Sequence, residues 1–158
     1  RKMSDNAAVA LAVLSGAVVA YGVACLVRAK KRAISAVDPG DAAPKAIGPY
    51  SSAVKANGQV YVSGMIALSP TGSGMVGTTP AQQARQALTN MKAVLEAAGS
   101  SLNKVVKVTV LLTDMAEFKN VNEVYAEFFS ENKPARACFA VVALPAGALV
   151  EMDAIAMQ

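Results

Sequence analysis

The apolar stripe Ala84, Ala87, Leu88, Met91, Val94, Leu95 and Ala98 constrains this chain more than any other feature. Its i, i+3, i+4, i+7 spacing is that of a helix lying with one face on a sheet. Thr79 offers an N-cap, Pro80 suits the first helical position and Gly99 an exit, so the helix is expected to run to Ala98. The sheet is sought in the rest of the chain. Ala46–Val54 and Gln59–Met65 read as strands joined by Asn57-Gly58, the strongest short hairpin signal, and Ser69–Pro80 as a loop. Lys104–Leu112 (KVVKVTVLL) is a valine-rich strand. A second helix is expected over Ala116–Ser130, with Phe118, Val121, Val124, Tyr125 and Phe128 turned inward, followed by strands Arg136–Leu144 and Ala148–Met157. The order β-β-α-β-α-β-β is an α+β layout in which two helices cover one face of a mixed sheet. Val60, Val62, Val106, Val108, Phe139 and Val141 place apolar groups on both faces, so the second face also needs a cover. Self-association is the economical answer, and it creates clefts between subunits.

The domain is preceded by a different kind of sequence. Residues 7–27 (AAVALAVLSGAVVAYGVACLV) contain no charge and, as a helix, match the roughly 30 Å of a bilayer core. Residues 1–32 are therefore read as a membrane anchor or targeting segment, with a helix docked on protein as a third reading. The flanking RAKKR would keep the C-terminal domain on the cytosolic, matrix or stromal side, in a mitochondrion or plastid if the membrane is an organelle's. Ala8, Ala12, Gly16, Ala20 and Ala24 form a small-residue ladder suited to a close helix partner in a membrane or membrane complex. Residues 33–45, rich in Pro, Gly and Asp, read as a tether, leaving 46–158 as the folded domain.

Charge and composition exclude several functions. Six of the fifteen basic residues (Arg1, Lys2, Arg28, Lys30, Lys31 and Arg32) lie in the N-terminal segment, so the domain is close to neutral and no nucleic-acid partner is expected. No stacked aromatics or basic groove argue for RNA. There is no histidine, which removes His-based triads and His-ligated metal sites, and Cys25 and Cys138 form no paired metal motif. Neither a metal nor another cofactor is expected.

One stretch carries chemistry. In Pro134-Ala135-Arg136-Ala137-Cys138-Phe139, a permanent cation and a thiol sit inside apolar sequence. A guanidinium presents a planar fork suited to a carboxylate, and burial without an anion is costly, so the partner is either an internal acid or a ligand. Glu151 is a candidate internal partner, as a structural ion pair across neighbouring strands. Cys138 alone reads as a small apolar group.

Several separated motifs, in order, resemble the RidA/YjgF/UK family of reactive-intermediate deaminases, also called L-PSP endoribonucleases. They are AIGPYS at 46–51, YVSGMI at 61–66, AGSSLNKVVKVTVLLTDMAEF at 98–118, VNEVYAEFF at 121–129, PARACF at 134–139 and LVEMDAIA at 149–156. The resemblance spans about residues 33–158. It implies a chorismate-mutase-like α+β fold, a homotrimer with sites between subunits, and hydrolysis of 2-aminoacrylate and related 2-imino acids to 2-keto acids and ammonia. It further implies that Arg136 holds the substrate carboxylate and Glu151 orients or activates water. Tyr50, Ser63, Gly64, Asn122 and Cys138 would line the cleft. Lys133, Ser52 and Met65 depart from the family's usual residues, at the cleft edge and in substrate range respectively. The chemistry suits these residue types, because an imine is already electrophilic and water needs a position and a proton acceptor more than a metal. The alternative is a non-catalytic accessory subunit of a membrane complex, motivated by residues 7–27.

Overall fold

The computed structural model describes residues 34–158: strands β1 (Ser35–Val37), β2 (Ala53–Ala56) and β3 (Gln59–Met65), helix α1 (Pro80–Ala97), strand β4 (Val105–Leu112), helix α2 (Phe118–Phe128), and strands β5 (Ala135–Ala140) and β6 (Val150–Met157). The expected anchor at 7–27 and its basic flank lie outside the described residues. Among the described residues no helix is long and apolar enough to cross a membrane.

The strands form one sheet in the order β1-β2-β3-β6-β4-β5, antiparallel throughout except for the β4–β5 pair. The expected hairpin is present: Asn57 and Gly58 both take positive φ, 53° and 76°, as a two-residue turn matching strand twist demands. The α+β layout also holds, with one strand added. Residues 33–45 are not simply a tether, since Ser35–Val37 pairs with Lys55–Ala53 on the sheet edge. Three residues are too few to show a period. The first expected strand starts late, at Ala53 instead of Ala46. Gly48-Pro49-Tyr50 turns tightly, with the Tyr50 amide donating to the Gly48 carbonyl, and Pro49 has no amide for a ladder.

The helix-facing side of the sheet is the core. Val60, Val62, Val108, Val110, Leu112, Val150, Met152, Ala154 and Ala156 all pack there, against Ala84, Leu88, Met91, Val94, Leu95 and Ala98 of the predicted α1 stripe and Val121, Val124 and Tyr125 of α2. Helix α1 begins with a full capping box. Thr79 Oγ1 accepts from the Gln82 amide while Gln82 Oε1 accepts from the Thr79 amide. Its buried side also carries two polar residues that an apolar stripe does not announce. Asn90 Nδ2 donates to the carbonyls of Ile66 (3.0 Å) and Leu68 (2.9 Å), pinning the segment after β3. Gln83 donates to the Gly77 carbonyl and accepts from the Leu149 amide at 2.7 Å, just before β6.

The other face is mixed: Tyr61, Val106 and Phe139 are exposed on it, alongside Lys107, Thr109, Glu151 and Asp153.

Candidate functional site

Two strands and one irregular segment frame a cavity of about 540 Å³ on the open face. Its wall takes Lys45, Ile47, Tyr50 and Ser52 from the segment before β2, Tyr61 to Ile66 from β3 and beyond, and Glu151, Asp153 and Ile155 from β6. The bend that shapes it is a bulge. Val62 pairs with Ala154 and Met65 with Met152, so Ser63 and Gly64 together oppose Asp153. Ser63 is tied back to the lead-in segment: its amide donates to the Ser52 carbonyl (3.0 Å) and its hydroxyl to the Ser51 carbonyl (2.7 Å). The Ile47 amide donates to the Tyr50 hydroxyl at 3.3 Å, closing the turn that presents the ring.

Gly64 is a requirement of close approach. A β-carbon built there would overlap Glu151 Oε1 and lie 2.8 Å from Cδ, so the carboxyl group occupies the space that only glycine leaves. Burial pushes the Glu151 carboxyl above the usual carboxylate range, and the neighbouring charge of Asp153 adds to the rise. Asp153 was not anticipated, although strand alternation from Glu151 puts it on the same face. Ser52 and Met65, two of the three departures, are both buried in this wall.

Arg136 is elsewhere. In register it pairs with Val108, which in turn pairs with Ala154, and both of those are core residues, so Arg136 leaves the sheet on the helix side. Glu151 pairs with Leu111, of the opposite parity on β4. The expected ion pair across neighbouring strands is therefore not formed. β4 separates β5 from β6, and the two side chains leave opposite faces. Arg136 instead stacks on α2, its guanidinium carbon 4.6 Å from the Tyr125 ring centroid and 5.6 Å from that of Phe118. Asn122 lies on the same helical face, four residues after Phe118 and three before Tyr125. Cys138, two residues along β5, packs against the core, and burial raises its thiol pKa while the Arg136 charge opposes the rise. A thiol so placed is protonated at neutral pH, which suits lining and not attack.

One chain thus carries two separate groups. Tyr50, Ser63, Gly64 and Glu151 meet at the cavity; Arg136 and Cys138 lie on the helix side of β5, near the face of α2 that also carries Asn122. The aromatic support of Arg136 was missed because Phe118 and Tyr125 fit the apolar stripe of α2 equally well.

The family model described as Endoribonuclease L-PSP matches residues 40–158. A RutC family protein of Pyrococcus horikoshii is 52% identical over 116 residues, 73% of this chain and 92% of that protein. The human protein named 2-iminobutanoate/2-iminopropanoate deaminase is 47% identical over 116 residues, covering 73% of this chain and 85% of its own length. The crystal structure of E. coli TdcF with bound serine superposes with a TM-score of 0.74 at 37% identity, over 78% of this chain and 98% of that one. With the motifs, the sheet order and this match in agreement, the chain belongs to the L-PSP endoribonuclease family, the RidA/YjgF proteins.

Proposed function

We propose that this chain hydrolyses 2-imino acids and their enamine forms, such as 2-aminoacrylate, to 2-keto acids and ammonia, in a cleft shared by two copies of the chain. The observation that carries this reading is the division of the site. Glu151, held against Gly64 in a cavity, and Arg136, stacked with no ion pair among the described residues, lie on opposite faces of one sheet. A second copy placed against the open face brings its Arg136 to the cavity, and a homotrimer closes the arrangement. The deaminase name of the human relative and the serine bound to TdcF, a molecule with one carboxylate and one amino group, support the same chemistry here.

In this reading Arg136 clamps the substrate carboxylate through two parallel hydrogen bonds. An enamine first becomes the imine by losing an N–H proton to solvent and gaining one at its methylene carbon. Water held near Glu151 then adds to the imine carbon, and the new C–O bond forms as Glu151 accepts the water proton. Glu151 returns that proton to the nitrogen. The C–N bond then breaks, and the leaving ammonia takes the hydroxyl proton as the carbonyl forms. Ser63, Tyr50 and Asn122 orient the substrate, and Cys138 lines the cleft. The test is direct: a dehydratase generates 2-aminoacrylate in the presence of the full chain, and pyruvate and ammonia are followed. Release faster than the uncatalysed background is expected. A rate equal to background overturns the proposal.

A base must be unprotonated, so kcat/KM falls as pH drops through the Glu151 pKa, which lies above the ordinary 4.5. Asp153→Asn removes one cause of that elevation and leaves burial. The acid limb of the pH–rate profile is expected to move to lower pH without returning to 4.5, and an unmoved limb rules out Glu151 as the titrating base.

A further inference from the structure

A guanidinium has five N–H donors in a rigid fork. It can be held in place by bonds that consume those donors or by a surface that leaves them free. Arg136 is held the second way: among the described residues its side chain makes no ion pair or hydrogen bond, and its guanidinium lies over the Tyr125 and Phe118 rings. The platform is itself packed into the core. Tyr125 is 8% exposed, and its ring centroid lies 4.5 Å from that of Phe129, which is 3% exposed. The Tyr125 hydroxyl is buried without a partner, and burial lifts the phenol pKa to about 12. A buried hydroxyl that bonds to nothing does not explain the residue; the ring does.

We propose that Tyr125, assisted by Phe118, is a positioning residue that fixes the plane of the Arg136 guanidinium by stacking and keeps its donors free for an incoming planar carboxylate. This rests on the reading of Arg136 as the carboxylate anchor. Stacking needs a delocalised plane, so lysine at position 136 gains nothing from the platform. The coupling between the two positions is therefore specific to arginine, which separates positioning from mere support of the core.

The experiment is a double-mutant cycle on the full chain, read as the dissociation constant of 2-ketobutyrate by calorimetry, with a thermal midpoint for each variant. Tyr125→Phe keeps the ring and is expected to bind within about twofold of wild type, with an unchanged or higher midpoint. Tyr125→Leu is expected to weaken binding about fivefold, the upper end for a cation–π contact of an exposed guanidinium. In the Arg136→Lys background, which is itself weakened, Tyr125→Leu is expected to add almost nothing. Where Tyr125→Leu fails to fold, Phe118→Leu, at the more exposed of the two rings, runs the same cycle with a loss of a few-fold. An equal loss from Tyr125→Phe, or a leucine loss that persists in the lysine background, overturns the platform while leaving the anchor intact. Wild-type affinity in Arg136→Lys overturns the anchor, and the platform with it.

Discussion

On the proposed reading, two inactive variants, mixed, are expected to regain activity. A chain with Arg136→Ala and a chain with Glu151→Gln are each expected to lose on the order of 10²–10³ in kcat/KM: the first loses a charge-assisted clamp on the substrate carboxylate, the second a proton acceptor. Unfolded together in equal amounts and refolded, they are expected to recover about a quarter of the wild-type rate, since each cleft draws its arginine from one chain and its glutamate from a neighbour at random. The reason is geometric. Arg136 rises on the helix side of β5, Glu151 on the open side of β6, and β4 runs between them. No side-chain rotation crosses a sheet. Ammonia release before and after co-refolding is the measurement, and absence of recovery means that the two residues do not serve one cleft from different chains.

Gly64→Ala is the second large effect, and it dissociates catalysis from folding. The added β-carbon meets the end of a flexible side chain, the Glu151 carboxyl, and not backbone. Gly64 has no positive φ to protect and sits at an exposed bulge, so stability is expected to change by less than about 0.5 kcal/mol. The carboxyl group has to swing away, and a misplacement of about 1 Å in a reacting group costs around 10²-fold in rate. Paired measurements of kcat and the denaturant midpoint check both halves. An undiminished kcat means that the position of Glu151 seen here is not the working one.

What the sequence conveyed and what it withheld divide along a physical line. Local signals were legible. The Thr79 N-cap, the α1 stripe and the Asn57-Gly58 turn depend on neighbours a few residues away, and all three are found as expected. Strand adjacency depends on the whole chain. β5 and β6 follow one another in sequence and read as neighbours, yet β4 is inserted between them, which is why the Arg136–Glu151 pair fails. Ser35–Val37 was lost because three residues show no period. The gathering of Tyr50, Ser63, Gly64 and Glu151 came from the family motifs, since nothing local relates residue 50 to residue 151. Asp153 was within reach of simple alternation. Gln83 and Asn90 were not, because polar residues among the apolar positions of a helix ordinarily face water.

Those two side chains of α1 have a consequence for motion. Asn90 holds the segment leaving β3, and Gln83 holds the amide of Leu149, two residues before the catalytic-site glutamate of the proposal. The two strand walls of the cavity are thereby fastened to one helix whose apolar face is fully buried. Loops of this kind ordinarily open on their own, at little cost, ahead of the elements they connect. Here the Leu149 amide is expected to exchange with solvent more slowly than an untied loop amide, because its acceptor, Gln83 Oε1, is carried by a helix anchored in the core.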